Sequence, residues 1–331
     1  GGKSRRAAKI LTILVNHPDV RQFITAKRDA QRRAHALIDA GFPGNWQSDT
    51  WQHEPFQNSN LSVRVTDEFM RAVVDDTTYQ LVWDGKVIEE PRAREIWDLI
   101  CECAWETGDP GLQYDTTINK WHTVPKAGRI VSSNPCSEFL HHNDTACNLA
   151  SLNLLKFRKS DGSFDVPLFL HCVRLCIVAQ EIICNFAGYP TPEIAENSRR
   201  FRPLGLGYCN LGALLMRSGI GYDSDEGREY AAAITALMGG QAYRVSAELA
   251  GIVGPFEGFA ENREEMLDVL RLHRDAARGE CRFAGLFVES TEAMCIAKQA
   301  ANIWIDVVKQ GNEHGFRNSQ VTLLAPTGTI G

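Results

Sequence analysis

Residues 9–39 read KILTILVNHPDVRQFITAKRDAQRRAHALID. Residues 9–15 are a short apolar run with β-branched members, which predicts a buried strand. His17-Pro18-Asp19 breaks the run, and residues 19–39 then read as a helix rich in Arg and Gln, polar over much of its surface. A strand that feeds a helix in this way is the building unit of α/β folds. The same alternation recurs outward from there. Leu61-Ser62-Val63-Arg64-Val65 alternates as a half-buried strand does. Residues 92–107 set Ile96, Leu99, Ile100 and Cys103 at helical spacing, stopped by Gly108-Asp109-Pro110-Gly111. Residues 166–187 predict an apolar helix with Asp165 as N-cap and Pro167 in its first turn. Asp223 followed by Glu226 resembles a capping box for a helix to about Leu249, and residues 291–310 predict another closed by Gly311. Gln320-Val321-Thr322-Leu323-Leu324 reads as a strand delivering a turn at Pro326–Ile330. The expectation is α/β with mostly parallel strands, in one incomplete domain over residues 1–331. Residues 40–60, rich in Gly, Pro, Asn and Trp, are expected to form an irregular loop.

Composition narrows the function classes. Apolar residues are 44% and charged residues 23% of the 331, the proportions of a globular chain rather than a disordered or fibrous one. A net charge of -6 argues against a general nucleic-acid binder, while leaving room for a site holding one phosphorylated small molecule. No uninterrupted apolar stretch of membrane-spanning length occurs, so no membrane span is expected. The 10 cysteines are scattered, which suits reduced thiols in a cytoplasmic protein better than a disulfide scaffold. The opening Gly1-Gly2-Lys3-Ser4-Arg5-Arg6 lacks an initiator Met, and the close at Pro326-Thr327-Gly328-Thr329-Ile330-Gly331 resembles a strand-to-helix turn, so a piece of a longer polypeptide is expected.

The densest chemistry lies in Asn134-Pro135-Cys136-Ser137-Glu138, followed by Cys147 eleven residues after Cys136. In an extended segment Asn134, Cys136 and Glu138 would point to one face, gathering an amide, a thiol and a carboxylate. A free cysteine is more often a small core hydrophobe, but Pro135 and the charged Glu138 argue against that here. Cys172, Cys176 and Cys184 sit among Val, Leu and Ile on one helix and read as a core stripe, with no metal site expected. Cys101 and Cys103, two apart, do not share a helix face. His141-His142 reads as part of an exposed loop, and Gly205-Leu206-Gly207…Gly212 as a tight helix entry, because its spacing departs from a dinucleotide fingerprint.

The run SSNPCSEF (132–139) with DTACNLASLNLL (144–155) closely resembles ribonucleotide reductases, in particular the class II, adenosylcobalamin-dependent enzymes. NLSVRVTDEFM (60–70), AWETGDPGLQYDTTIN (104–119), RPLGLGYCNLGALLM (202–216) and GFRNSQVTLLAPTGTIG (315–331) resemble further blocks of that family, in its order. GGKSRRAAKI at the start resembles the family's loop joining substrate and specificity sites. The N-x-C-x-E motif with a downstream cysteine is the specific part of this likeness.

The resemblance implies an incomplete ten-stranded α/β barrel with a central finger loop. It implies radical reduction of ribonucleotides, diphosphates being the expected substrate, to 2′-deoxyribonucleotides. Cys136 then matches the cysteine that becomes a thiyl radical and takes the 3′ hydrogen. Glu138 matches the carboxylate that accepts the 3′-hydroxyl proton, and Asn134 the amide that binds and positions the substrate. Cys147 matches half of the reducing dithiol that ends as a disulfide. Pro135 and Ser137 belong to the same substrate-contacting run. Pro326, Thr327, Gly328, Thr329 and Ile330 match the substrate-phosphate loop, although Pro and Gly also mark plain turns. Lys3, Arg5 and Arg6 are candidates for effector or substrate phosphates, or for a solvated basic turn. Adenosylcobalamin is the implied cofactor. A nucleotide effector, a dithiol reductant such as thioredoxin and a homodimer are the implied partners. The partner of Cys147 is expected upstream of Gly1, and shuttle cysteines beyond Gly331. Two alternatives stay open: a class I large subunit with a separate metal-containing radical subunit, and a non-catalytic nucleotide-binding or assembly fragment.

Overall fold

In a computed structural model, residues 8–279 and 291–331 are described; Lys3, Arg5, Arg6 and Cys281 lie outside them. The chain divides into two compact units, one of residues 1–121 and 130–140, the other of 122–129 and 141–331.

The first unit holds β1 (Lys9–Leu14), α1 (Val20–Asp39), α2 (Asp49–Gln52), β2 (Ser59–Val65), α3 (Asp67–Val74), β3 (Leu81–Trp83), β4 (Lys86–Glu89), α4 (Ala93–Thr107), β5 (Gly111–Tyr114) and α5 (Asp115–Lys120). Strands β1, β2 and β5 form a parallel sheet in that order, and β3–β4 is an antiparallel hairpin. Parallel neighbours need crossovers, which α1 and the α3–α4 region supply. Val63, Val65, Phe69, Ile96, Ile100 and Cys103 meet Ile24 in the core.

Three expectations shift here. Among the described residues β1 is an edge strand that pairs only with β2, and Leu11 and Leu14 stay exposed. Conversely β2 is buried along both faces, because it is the middle strand and its polar members Ser62 and Arg64 face other protein groups. The 40–60 loop contains the short helix α2 and a stacked Trp46–Trp51 pair.

The second unit holds β6 (Asn148–Asn153), α6 (Val166–Phe186), α7 (Pro192–Phe201), β7 (Leu204–Cys209), α8 (Leu211–Arg217), α9 (Asp225–Val253), α10 (Arg263–Ala277) and α11 (Thr291–His314). β6 and β7 pair in parallel. Residues 320–323 extend this pairing beyond β7 through Leu204 N–H to Gln320 O, Leu206 N–H to Val321 O and Leu323 N–H to Leu206 O, but form only an isolated bridge rather than a full strand. The core lies between this sheet and α6, α9 and α11. Helix α6 starts as expected, with Asp165 accepting from the Leu168 amide. By length and composition it could cross a membrane, with a mean hydropathy of 1.7 over its most apolar window. Here one face packs in the core through Phe169, Val173 and Ile177 and also carries the buried Glu181.

Four local readings are corrected in this unit. The 205–209 stretch is strand β7 rather than a helix entry, and α8 begins only at Leu211. Ser224, not Asp223, caps α9 by accepting from Gly227, and the helix runs to Val253. α11 passes through Gly311 to His314, because the Phe316 ring lies where a side chain at Gly311 would be, and Gly315, at φ 75°, follows the last turn. His141 and His142 are buried against Phe201, not exposed. Among the described residues the strands form one three-stranded and two two-stranded sheets, with no closed barrel.

Candidate active site

The Asn134–Glu138 motif is a turn in the first unit rather than an extended segment. Pro135 and Cys136 occupy its tip, and Ser137 takes a left-handed φ of 66°. The Ser137 amide donates to Asn134 O at 2.9 Å, and the Phe139 amide donates to Asn134 Oδ1 at 2.9 Å. One asparagine thus closes the bend twice, as short polar side chains do at turns. Its Oδ1 is committed inward, so its NH2 end is the one able to donate to a ligand.

The bend displays Cys136 exposed at the tip, while Asn134 and Glu138 are half-buried. Glu138 Oε2 is buried and makes no hydrogen bond among the described residues. A buried carboxylate oxygen without a donor is costly, and such exceptions mark places where a ligand, water or proton has a role. The alternation argument assumed an extended segment, whereas residues 134–138 form a turn that carries the exposed thiol two residues from the half-buried carboxylate.

Side chains from four elements tie this stretch down. Thr12 on β1 donates to Val131 O at 3.2 Å, and Asn60 on β2 donates to Pro135 O at 2.5 Å. Gln113 on β5 donates to Ser133 Oγ at 2.7 Å and Ser137 Oγ at 3.2 Å. Asn119 on α5 donates to Ile130 O and accepts from the Ile130 amide. Sequence reading missed these supports. Single polar residues such as Thr12 within the apolar run 9–15 carry only a weak signal for such a role, because their partners lie far away in sequence.

Cys147 lies in the second unit, half-buried, at the entrance of β6. The Pro326–Ile330 segment is a largely exposed turn at the opposite end of the parallel β6–β7–320-to-323 array. Gly328 has open space where a side chain would stand, so protein packing does not require a glycine there. Among the other described cysteines, Cys103, Cys184 and Cys209 are buried, Cys172 and Cys176 half-buried, and Cys101 and Cys295 exposed. Burial raises the Cys103 and Cys176 thiols and pushes Cys184 up to about 11, which keeps them protonated and inert. Cys101 is exposed and Cys103 buried, as their spacing predicts. Among the described residues no group of three metal-ligating side chains occurs.

A second polar cluster went unread. His122, His141 and His142 pack together, with ring centroids 5.9 Å apart for the first pair and 4.7 Å for the second. His141 Nε2 bonds Ser319 Oγ at 2.9 Å, and His122 Nε2 bonds Gly128 O at 2.9 Å. Desolvation lowers all three, opposed at His122 by the Gly128 hydrogen bond and reinforced at His141 by its histidine neighbours and at His142 by His122 and Arg200, which take His142 to about 4, so they are neutral at pH 7.

Comparison with known proteins places this geometry in a family. The family model described as "Ribonucleotide reductase, barrel domain" matches residues 1–331. A "Vitamin B12-dependent ribonucleotide reductase" of Rhodopirellula baltica is 48% identical over 334 residues, covering 100% of this chain and 31% of the relative. The protein of the same name from Streptomyces coelicolor is 49% identical over 337 residues, covering 100% of the chain and 34% of the relative. A "Vitamin B12-dependent ribonucleoside-diphosphate reductase" of Mycobacterium tuberculosis is 33% identical over 264 residues, 79% of this chain and 35% of that protein. The chain thus spans about a third of the length of the relatives it matches. It belongs to the ribonucleotide reductase family, in the segment that forms the family's barrel domain.

Proposed function

We propose that this chain is part of the catalytic barrel, residues 1–331 of an incomplete ten-stranded domain whose finger loop is the Asn134–Phe139 turn. The whole protein reduces ribonucleoside diphosphates to 2′-deoxyribonucleotides. The observation that carries this reading is the exposed Cys136 thiol on a fixed turn, two residues from an unpartnered carboxylate oxygen of Glu138. The vitamin B12 dependence named for the relatives fits a sulfur reachable from outside the turn; bound as adenosylcobalamin, the cofactor would supply the oxidising equivalent that generates the thiyl radical at Cys136.

The Cys136 sulfur takes the 3′ hydrogen of the ribose as an atom. Glu138 accepts the 3′-hydroxyl proton, which assists departure of the 2′-hydroxyl as water. The Asn134 NH2 group holds the sugar in place. Cys147 and a partner cysteine give two electrons and two protons and become a disulfide; the hydrogen on Cys136 returns to C3′. An external dithiol such as thioredoxin then restores the pair. Thr327 and Thr329 hydroxyls and the Gly328 backbone bind substrate phosphate, as exposed turn groups can. Pro135 and Ser137 shape the sugar side of the site. A homodimer, a nucleotide effector and a cytoplasmic location accompany this reading, since free thiols need a reducing compartment.

The test is turnover by the full-length protein with a nucleoside diphosphate, adenosylcobalamin and a dithiol. We expect Cys136→Ser to lower kcat by about 10³-fold or more while nucleotide binding persists. Cys136→Ser with near-normal turnover would contradict the radical role. Turnover indifferent to adenosylcobalamin would point instead to a separate radical-generating subunit. The isolated 331-residue chain is expected to have no turnover.

A further inference from the structure

The Cys136 turn is fastened to a buried polar relay that the proposed chemistry does not use. Arg64 on β2 and Asp115 at the start of α5 are each 1% exposed. The Arg64 guanidinium donates to Asp115 Oδ1 through Nε at 3.0 Å and Nη2 at 2.6 Å, and Nη2 also reaches Ile130 O at 2.8 Å. Its Nη1 donates to Gln113 Oε1 at 2.6 Å. Arginine has donors only, so this bond fixes which end of the Gln113 amide is oxygen. The NH2 end then faces the turn, donating to Ser133 Oγ and Ser137 Oγ. The Ser133 hydroxyl in turn donates to Asn134 O at 2.8 Å. One amide therefore reaches both flanks of Cys136, and it includes the residue that carries the left-handed φ.

We propose that Gln113 is a positioning residue for Cys136. It transmits the fixed plane of the buried guanidinium to the two serines and holds the bend that presents the sulfur. This rests on the reading of Cys136 as the radical-bearing thiol. The physical case is rigidity. A buried guanidinium is expensive to desolvate, and its planar fork permits few arrangements. A relay hung on it inherits that order, whereas a solvated loop would not. Misplacement of a reacting atom by about 1 Å costs on the order of 10²-fold in rate.

The test uses the full-length protein and three variants. Gln113→Leu removes both ends of the relay. Ser133→Ala removes one receiver and leaves Arg64, Asp115 and Gln113 in place, so it remains informative if Gln113→Leu folds poorly. Cys136→Ser is the reference for the parent reading. For Gln113→Leu we expect kcat to fall about 10- to 100-fold with KM for the nucleoside diphosphate within about twofold. Ser133→Ala should lose about 3- to 10-fold in the same direction. Backbone amide exchange should accelerate in residues 133–139 while β2 and β5 stay protected. Unchanged kcat in both folded variants, or exchange spread equally through β2 and β5, would overturn the positioning role. If Cys136→Ser is inactive and both relay variants are normal, only this inference fails. An active Cys136→Ser removes the parent reading and this one with it.

Discussion

Each unit buries an arginine against a carboxylate, and the two pairs are wired in opposite senses. In the first unit the hub is the cation: Arg64 serves Asp115, Gln113 and the Ile130 carbonyl. In the second the hub is the anion. Glu181 on α6 accepts from Arg202 Nε at 2.8 Å, Arg317 Nε at 2.6 Å and Asn318 at 2.7 Å. Ser246 on α9 binds the Asn318 side chain, so this hub joins two helices to the segment that becomes residues 320–323. The lesson is that a buried charge here fixes chain that regular backbone pairing leaves undetermined. Removal of the hub, rather than of a peripheral partner, should do the most damage.

Glu181→Ala is the severest break. It leaves Arg202 buried and deprives Arg317 and Asn318 of an acceptor, so the second unit should lose about 3–5 kcal/mol in denaturant unfolding. Arg202→Met, which leaves Glu181 with Arg317 and Asn318, should cost less. The reverse order would end the idea of an anionic hub. Next comes Arg64→Met, expected to cost the first unit about 3 kcal/mol by stranding Asp115. That loss is eased by Asn119, whose NH2 group lies 3.5 Å from Asp115 Oδ1. A cost below about 1 kcal/mol would mean that Arg64 is dispensable to the fold.

The smallest effect separates the units by pH. His142 titrates near 4 when folded, below the ordinary 6.5, because burial disfavours its charged form and His122 and Arg200 add positive charge. His141 shifts the same way through burial and its histidine neighbours. The unfolded chain therefore binds protons first as pH falls. Stability is full above about 6.5 and declines towards about 4. The Tm of the second unit should drop over that window, and His142→Phe, which keeps an aromatic ring against Phe201, should flatten the decline. A slope unchanged by His142→Phe would exclude the ring as its source.

Much of the fold was legible where local chemistry decides. Asp165 before Val166-Pro167 and Gly108 after α4 gave helix ends that the structure keeps, because caps depend on neighbours in sequence. Where distant packing decides, the reading slipped. The spacing of Asp223 and Glu226 pointed to Asp223 as the cap of α9, whereas the adjacent Ser224 takes that role. Gly311 punctuates a helix in sequence, yet its missing side chain makes room for Phe316. Arg64 alternated with apolar neighbours and so suggested water, whereas a carboxylate on another element made burial affordable. The residues of the candidate site were all visible as a motif. Its bend was not, because the serine and glutamine that hold it are joined only by tertiary contact.

The two glycines of β7 carry a last implication. A methyl on Gly207 would sit 2.5 Å from Leu323 O, and one on Gly205 would press on the Leu149 and Leu323 side chains at 2.8 Å. Backbone meets backbone there with nothing between, so residues 320–323 are seated by absence of matter. The loop that follows has its launch point dictated by a neighbouring strand instead of by its own composition. Swapping the loop's residues should retune what it grips without relocating it, whereas adding a single carbon under Leu323 would displace the entire bend.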